Sequence, residues 1–409
     1  MTNPVFIYLA AWGGVLFLYS LGYTTNLVTP SDTGLLLVLM NMASILLAFI
    51  LTGCTIKRHK DSNDDALFVD AVRSFTKFSI ILWFVGTLLE IAHGGGFPLY
   101  WKIAGIARLY TEFGIPSFHG VMNAFYLQSL TMLMYLFVKL RQKSYLLMIA
   151  LLLLWPVLLL GRGILLSGLL QIICISLLMS RISIKKIMLL VVLAMIVVVV
   201  FGVMGDMRQT SNPFMYLVHE DMKESFAGLP SGFLWFYVYL TAGLSNFFHN
   251  VDSVAPAWSF SYSFSNMLPS VVRNFLELDP RNDLFQFVDV NLNTSTIYAG
   301  AISDFGPVGG FISVFLIQLF CCFTYAVSKR GRPWGMFAYT VSFQILIFSI
   351  FYDMFFLLPT LFQFAICFLM YNTYLIKKRK MRRRMAWAER QAQAAQGNAE
   401  AQSRGEAGA

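Results

Sequence analysis

Charge is scarce in this chain of 409 residues. Only 12% of its residues are Asp, Glu, Lys or Arg, whereas soluble globular proteins carry about 25%. The apolar share is 57% and phenylalanine alone contributes 38 residues, so much of the chain must meet a solvent other than water. This excludes a cytosolic enzyme and a disordered scaffold. The formal charge of +9 does not indicate a nucleic-acid partner, because the basic residues lie between apolar segments instead of across a soluble fold.

Several chemical signatures are also missing. The sequence has no P-loop, no GxSxG, no HExxH and no carboxylates at metal-site spacing, so ATP hydrolysis, serine hydrolysis and zinc chemistry lack support. We expect no metal and no cofactor. The cysteines show no paired spacing for zinc or for a disulfide framework, and we interpret them as small hydrophobic side chains. They are Cys54, Cys174, Cys321, Cys322 and Cys367.

Long apolar segments are abundant. A helix that crosses a membrane needs about 20 mostly apolar residues. Ten spans are predicted, at residues 5–22, 34–54, 74–92, 119–138, 145–160, 164–180, 187–205, 304–327, 335–351 and 354–376. The first segment lacks a basic start and a small-residue cleavage site, so we interpret it as a retained span. The sequence therefore predicts an all-α polytopic membrane protein with about ten transmembrane helices.

The basic residues orient these spans. Lys and Arg accumulate in cytoplasmic loops, and ten spans with both termini inside place 23 of the 30 basic residues there. This topology gives an N-terminal membrane region (1–205), a large outer loop (206–303), a C-terminal membrane region (304–376) and a basic, low-complexity cytoplasmic tail (377–409). Residues 232–248 are apolar, but a crossing there would invert every later cluster, so we expect a helix at the outer interface.

Seven basic residues remain on the outer side of this topology. They are Lys102, Arg108, Arg162, Arg208, Lys223, Arg273 and Arg281. Arg162 lies between Gly161 and Gly163 at the end of a span, where an arginine is costly unless it is paired, hydrated or functional. Its structural alternative is a snorkelling side chain in a tight hairpin. The later arginines are either ion-pair partners or, through the planar guanidinium, ligands of phosphate oxygens.

Acids and histidines on the same side are candidates for proton transfer. The best of them are His219 with Glu220, His249 with Asp252, and Asp304 at the start of the eighth span. The alternatives are an interfacial hydrogen bond for His249 and a helix-capping role for Asp304. Together with the outer arginines, these residues favour chemistry on an anionic, lipid-linked substrate that carries a diphosphate.

The most specific motif is NTSTIYAGAISDFGPVGGF, at the start of the eighth span. It resembles the Asn, Thr and Asp-Phe-Gly pattern of the oligosaccharide repeat-unit polymerases, the Wzy-type family of surface-polysaccharide assembly. The matching positions are Asn293, Thr296, Asp304, Phe305, Gly306 and Gly309. The GRG at 161–163 and YLTAGLSNFFHN at 239–250 are similar to two further elements of that family. In order and spacing, the three elements cover most of residues 145–330.

This resemblance implies a bacterial inner-membrane glycosyltransferase with a fold similar to the GT-C enzymes and an active site facing the periplasm. It implies transfer of the growing glycan from undecaprenyl diphosphate to a lipid-linked oligosaccharide repeat unit, without nucleotide sugar or ATP. A polysaccharide co-polymerase that regulates chain length is the implied partner. We expect Arg162, Arg208, Arg273 and Arg281 to stabilise the leaving diphosphate. His249, Asp252 or Asp304 would accept the proton of the acceptor hydroxyl.

Two alternative functions stay open. An O-antigen ligase uses the same donor with a lipid A core acceptor, and only the Asn, Thr and Asp-Phe-Gly pattern favours the polymerase. A polysaccharide flippase or secondary transporter would also be polytopic. Transporters place charges near the midplane of broken helices, often in repeated halves, whereas here the charges gather in the outer loop.

Overall fold

Helices form the architecture throughout the described part of the chain. The computed structural model describes residues 2–54, 65–180, 184–208, 214–278, 284–330 and 333–406. Before the long loop come α1 (Pro4–Ser20), α2 (Asp32–Leu51), α3 (Asp65–Gly94), α4 (Pro98–Ile103), α5 (Phe118–Leu140), α6 (Lys143–Leu158), α7 (Arg162–Met179) and α8 (Ile184–Arg208). The loop contains α9 (Lys223–Ala227), α10 (Ser231–Asn250), α11 (Ser261–Phe264) and α12 (Ser270–Phe275). The chain continues with α13 (Ala299–Lys329), α14 (Pro333–Phe348) and α15 (Leu358–Glu406).

All ten predicted spans fall on helices, and the all-α class is confirmed for the described residues. Within the described residues, six helical segments are long and apolar enough to cross a membrane: Asp32–Leu51, Ala66–Ile103, Phe118–Leu140, Arg162–Met179, Ala299–Lys329 and Leu358–Ala394. Four shorter apolar helices coincide with the other predicted spans: Pro4–Ser20, Lys143–Leu158, Ala194–Met207 and Trp334–Phe348. These helices indicate a multi-pass membrane protein, while the number and direction of the crossings and the likeness to GT-C enzymes stay predictions.

Apolar side chains on the outer helix faces agree with a membrane environment. Leu36, Leu47 and Ile50 of α2 are 59%, 51% and 68% exposed, and Ile81 of α3 is 64% exposed. Soluble monomers rarely expose continuous apolar surface of this kind, which instead marks contact with lipid or with another protein.

Three buried clusters hold the helices together. One joins α1, α2, α13 and α14, with Trp12 and Tyr298 among its largest members. The second joins α3, α5, α6 and α15, and the third packs α10 against the outer loop around Trp235. All five cysteines are free and buried, as predicted for small hydrophobic side chains.

A polar network crosses the interior between these clusters. Gln171 of α7 donates to Gln344 of α14 and to Gln363 of α15, both at 2.6 Å. Thr131 of α5 donates to Gln171 at 2.9 Å, and Gln128 of the same helix donates to Gln363 at 3.3 Å. Each amide has a partner, so the network ties four helices together in a place where an unpaired polar group would be expensive.

The helix predicted over 232–248 is present as α10. Most of its side chains are buried, and it packs along α8 and α1. Gly232 rests directly on the α8 backbone at Val198, and a Cβ at Gly202 would overlap Gly232. Because glycines allow this close approach, the apolar helix is enclosed by its neighbours and does not lie free on the protein surface.

α13 is broken near its start. Gly306 has φ +71° and is followed by Pro307, which has no N–H to donate to the carbonyl of Ser303. That carbonyl and the carbonyl of Asp304 instead accept hydrogen bonds from the backbone N–H groups of residues 257 and 258, each at 2.8 Å. The break therefore attaches the preceding loop to the beginning of α13.

Candidate functional site

Arg162 lies at the first position of α7 and is only 5% exposed. Its guanidinium carbon is 4.4 Å from the ring centre of Phe201, 4.3 Å from that of Trp235 and 4.9 Å from that of Tyr239. Nη2 donates to the Tyr239 hydroxyl at 3.0 Å, whereas Nη1 is buried and has no partner among the described residues. Aromatic faces stabilise the desolvated cation, and the Nη1 donor is left unused beside Gly205 among the described residues.

Two glycines leave the space that the Arg162 guanidinium occupies. Gly161 is the N-cap residue of α7, where the chain turns out of α6. A Cβ on Gly205 of α8 would lie 2.8 Å from Arg162 Nη1 and would collide with Trp235. The Trp235 indole N–H donates to Asp206 Oδ1 at 2.8 Å, which fixes the ring against α8. The aromatic cage thus depends on close packing of α7, α8 and α10.

A cavity of about 790 Å³ opens beside Arg162. Its walls come from α1, α7, α8, α10 and the end of α14, and they are mostly apolar. Gly163 faces this space, and a Cβ there would meet no atom within 4 Å. A wholly apolar cavity of about 290 Å³ adjoins it between α7, α8 and α10, with Phe201 and Phe236 lining both. We call the two spaces together the Arg162 cavity.

A smaller and more polar cavity of about 200 Å³ lies next to it, which we call the Asp353 cavity. Its polar lining residues are Tyr262, Ser263, Asn266, Asn293, Ser295, Thr296, Tyr352 and Asp353. Asn293 also lines the Arg162 cavity, so the two spaces meet at this residue. Asp353 is the one carboxylate among the described lining residues. The pair of cavities thus places a cation and an acid on either side of Asn293.

Asp353 was not among the candidates from the sequence. It lies between α14 and α15, and its Oδ1 accepts the backbone N–H groups of Phe355 at 3.0 Å and Phe356 at 3.4 Å. Oδ2 accepts no hydrogen bond within the described residues. Burial raises the pKa of Asp353 to about 7, because the two N–H groups offset only part of the desolvation. The signal in the sequence is a single acid inside the apolar run IFYDMFFLL.

The Asp-Phe-Gly motif builds the wall of the Asp353 cavity. Asp304 is fully buried inside α13, and its Oδ1 accepts the Ser259 hydroxyl at 3.0 Å and the N–H of Tyr262 at 3.1 Å. Its Oδ2 accepts the N–H of Ser263 at 2.7 Å. Asp304 therefore caps α11 and not α13. Because both of its carboxylate oxygens accept hydrogen bonds, its role is to hold Tyr262 and Ser263 in place.

The other motif residues divide between the cavity and the break. Asn293 and Thr296 line the Asp353 cavity. The ring of Phe305 lies 4.9 Å from that of Phe260, and Gly309 packs against the Phe305 side chain with no room for a Cβ. In the structure, the motif thus forms a broken helix at Gly306, and Asn293 and Thr296 before this helix line the cavity.

The remaining predicted site residues lie elsewhere. His249 and Asp252 are exposed at and just after the end of α10, and neither lines either cavity. Arg273 is half-buried in α12 and also lines neither. Arg208 ends α8 with its side chain outside the described part, and Arg281 lies outside the described residues. Of the four predicted diphosphate ligands, only Arg162 lines either of these two cavities among the described residues.

No family model, no curated protein and no solved structure matches this chain. Across the described ranges, no group of three or more His, Cys, Asp and Glu side chains has the arrangement of a metal site. The described residues thus offer a guanidinium, Arg162, beside an apolar cavity and a carboxylate, Asp353, in a polar cavity.

Proposed function

We propose that this protein is a glycosyltransferase that polymerises lipid-linked oligosaccharide repeat units at the periplasmic face of a bacterial inner membrane. The growing glycan is transferred from undecaprenyl diphosphate to a sugar hydroxyl of the incoming repeat unit. The observation that carries the proposal is Arg162, a buried guanidinium with an unpartnered Nη1 beside a large apolar cavity. The motif from Asn293 to Gly309 supports polymerisation over ligation.

The Arg162 cavity suits a polyprenyl diphosphate. The guanidinium stands at the N-terminus of the 18-residue helix α7, where first-turn N–H groups lack helical acceptors and favour an anion. Gly161 and Gly163 line the same space, so little side-chain bulk separates a phosphate from this helix end. The apolar extension between α7, α8 and α10 then accommodates an isoprenoid chain.

The predicted topology puts both cavities on the outer side. Ten crossings with cytoplasmic termini place the ends of α1, α8 and α14 and the starts of α7 and α13 at the periplasmic face. These are the helix ends that line the cavities. The polysaccharide co-polymerase that regulates chain length is the partner that this function entails, and it would meet the protein in the same membrane.

Arg162 has a defined part in the proposed chemistry. As the bond between C1 of the donor sugar and the phosphate oxygen breaks, its electron pair moves to the diphosphate. A fixed cation in a water-excluded site stabilises that charge at no cost of reorganisation. Arg208, whose side chain lies outside the described part, and Arg281, outside the described residues, are proposed to add charge around the same leaving group, whereas Arg273 lines neither cavity.

A surface-polysaccharide gel tests this function in the native host after deletion of the gene. Wild-type protein is expected to restore a ladder of chain lengths. Arg162→Ala and Arg162→Lys are expected to leave a single repeat unit, because a lost preorganised donor lowers turnover about 10²- to 10³-fold and Lys cannot reproduce the planar guanidinium. Lys223→Ala is the control: it removes an outer cation whose exposed ion pair with Glu220 contributes little stability.

The deletion phenotype separates the three function classes. A single repeat unit on the lipid core supports polymerisation. Bare core with long glycan retained on undecaprenyl diphosphate would identify a ligase. A ladder unchanged by deletion would exclude both enzymes, and trapping of lipid-linked units on the cytoplasmic side would identify a flippase. Membrane abundance of each variant, measured by immunoblot, separates lost function from lost protein.

A further inference from the structure

The lining of the Asp353 cavity has the chemistry of a carbohydrate site. Ser263 and Ser295 line it and are only 5% and 7% exposed, and their hydroxyls have no hydrogen-bond partner among the described residues. The exposed side-chain amide of Asn293 also lines this cavity. Buried polar groups without partners are costly, so they are usually completed by a ligand or water. Here the missing partners would be hydroxyl groups.

Aromatic side chains complete this lining. Tyr262, Phe285, Phe287 and Phe356 line the cavity together with the polar groups. A sugar presents hydroxyls around its edge and C–H bonds on its faces, so it matches a site that combines aromatic rings with unpartnered hydroxyls and with side-chain amides. An isoprenoid or a bare phosphate would leave one of these two sets unused.

We propose that the Asp353 cavity binds the acceptor sugar of the incoming repeat unit and that Asp353 accepts the proton of the attacking hydroxyl. This inference rests on the proposed function. The hydroxyl oxygen forms a bond to C1 of the donor sugar while the bond from C1 to the diphosphate oxygen breaks. The hydroxyl proton goes to Asp353 Oδ2, and the electron pair of the broken bond leaves with the diphosphate. Asp353 then releases the proton to water.

The two carboxylate oxygens of Asp353 have different surroundings. Oδ1 is held by the N–H groups of Phe355 and Phe356, which fixes the carboxylate at the start of α15. Oδ2 remains available to a ligand within the described residues. No Lys, Arg or His stands among the described lining residues, and the titratable neighbours are Tyr262 and Tyr352. The acid therefore has no local cation to hold it ionised, and its pKa near 7 suits a general base at neutral pH.

The junction of the two cavities is where the donor and acceptor sugars would meet. Asn293 lines both, so a donor diphosphate beside Arg162 and an acceptor beside Asp353 would present their sugars to each other at this residue. Asp304 stands behind the same wall with both oxygens engaged by Ser259, Tyr262 and Ser263. It positions the cavity and leaves proton transfer to Asp353.

The test uses full-length protein in lipid nanodiscs with lipid-linked repeat units extracted from the native host. Asp353→Asn keeps an oxygen that accepts the two backbone N–H groups, so the turn is retained while the base is lost. We expect transfer to fall about 10²- to 10⁴-fold. Asp353→Glu should keep part of the activity, and Asp221→Asn, which alters an exposed outer carboxylate, should keep all of it. Wild-type transfer should decline as the pH falls through about 7.

Two further measurements distinguish an acceptor site from a merely structural cavity. Ser295→Ala removes a buried hydroxyl without a partner among the described residues and should preserve or raise thermal stability, yet it should raise the KM for the acceptor repeat unit. Protection against thermal unfolding by undecaprenyl diphosphate should be the same for Asp353→Asn and wild type, because the Arg162 cavity is untouched.

Turnover by Asp353→Asn within about tenfold of wild type, with polymerisation by the wild-type protein intact, would overturn this inference and leave the proposed function standing. An unchanged acceptor KM in Ser295→Ala would remove the acceptor site from this cavity. A wild-type protein that transfers no glycan would overturn the proposed function, and the inference with it.

Discussion

Two side chains define the site because each is left incompletely bonded by the fold. Arg162 uses Nη2 on Tyr239 and leaves Nη1 without a partner in the described part. Asp353 uses Oδ1 on the backbone and leaves Oδ2 open. A buried polar group without a partner costs about 1–3 kcal/mol. Arg162 and Asp353 line neighbouring cavities, where ligands would complete both groups.

A substitution at Gly163 tests the Arg162 cavity without altering Arg162 itself. A Cβ at this position meets no atom within 4 Å, and the residue belongs to the first turn of α7. Gly163→Leu should preserve or raise the thermal unfolding temperature, because leucine favours a helix by about 0.5–1 kcal/mol over glycine. The same side chain should occupy the cavity and abolish polymerisation on the gel. A complete ladder from a normally folded Gly163→Leu protein would show that the donor lies elsewhere.

At this scale the sequence predicts Arg162 but not Asp353. Arg162 is conspicuous because it interrupts apolar residues at a helix boundary between two glycines. Asp353 follows α14 in an apolar run, and most of the residues that share its cavity come from positions 262–300. No local pattern reports a contact over that sequence distance. The sequence also could not show that His249 and Asp252 are exposed, since the spacing of an imidazole and a carboxylate says nothing about whether either one faces a cavity.

The break in α13 is the element that shapes the Asp353 cavity. Gly306 adopts φ +71° and ψ −171°, a conformation that is open essentially to glycine alone. The freed carbonyls of Ser303 and Asp304 hold the loop that carries Tyr262 and Ser263. One glycine therefore couples a membrane helix to a cavity wall.

Replacement of that glycine is expected to destabilise the break. Gly306→Ala should lower the free energy of unfolding by about 1–3 kcal/mol, because alanine is strained at this φ and ψ. Thermal unfolding in detergent, followed by tryptophan fluorescence, measures the change. Gly13→Ala is the matched control: its Cβ meets no atom within 4 Å in a regular helix, so it should be neutral or stabilising. Equal unfolding temperatures for the two variants would contradict a strained position at Gly306.

The presence of each helix follows from the sequence better than its exact start or its interruptions do. Every predicted span coincides with a helix because an apolar run of this length has few other solutions in a membrane. The eighth span was predicted to start at residue 304, whereas α13 starts at Ala299 and breaks at Gly306. Gly-Pro marks a helix boundary locally, but here the neighbouring loop satisfies the freed carbonyls and lets the helix continue.

Across the whole molecule, the glutamine network fixes how four helices meet. Gln171→Leu should remove the shared partner of Gln344, Gln363 and Thr131 and lower the free energy of unfolding by about 1–3 kcal/mol. Urea or thermal unfolding in detergent measures the loss, with Gln142→Leu as an exposed control. A stability equal to wild type would show that these amides find other partners. Amphipathic patterns cannot foresee such a network, because each glutamine alone is compatible with several helix neighbours.

The shared wall at Asn293 has a thermodynamic consequence. Two ligands that meet at one side chain are linked, since a free energy that the first gains or loses there changes the affinity of the second by the same factor. A donor and an acceptor in these cavities would therefore bind either cooperatively or in competition. The effect of the donor on acceptor affinity would equal the effect of the acceptor on donor affinity. Chain growth would then depend on whether the Asn293 amide contacts the donor, the acceptor or both at once.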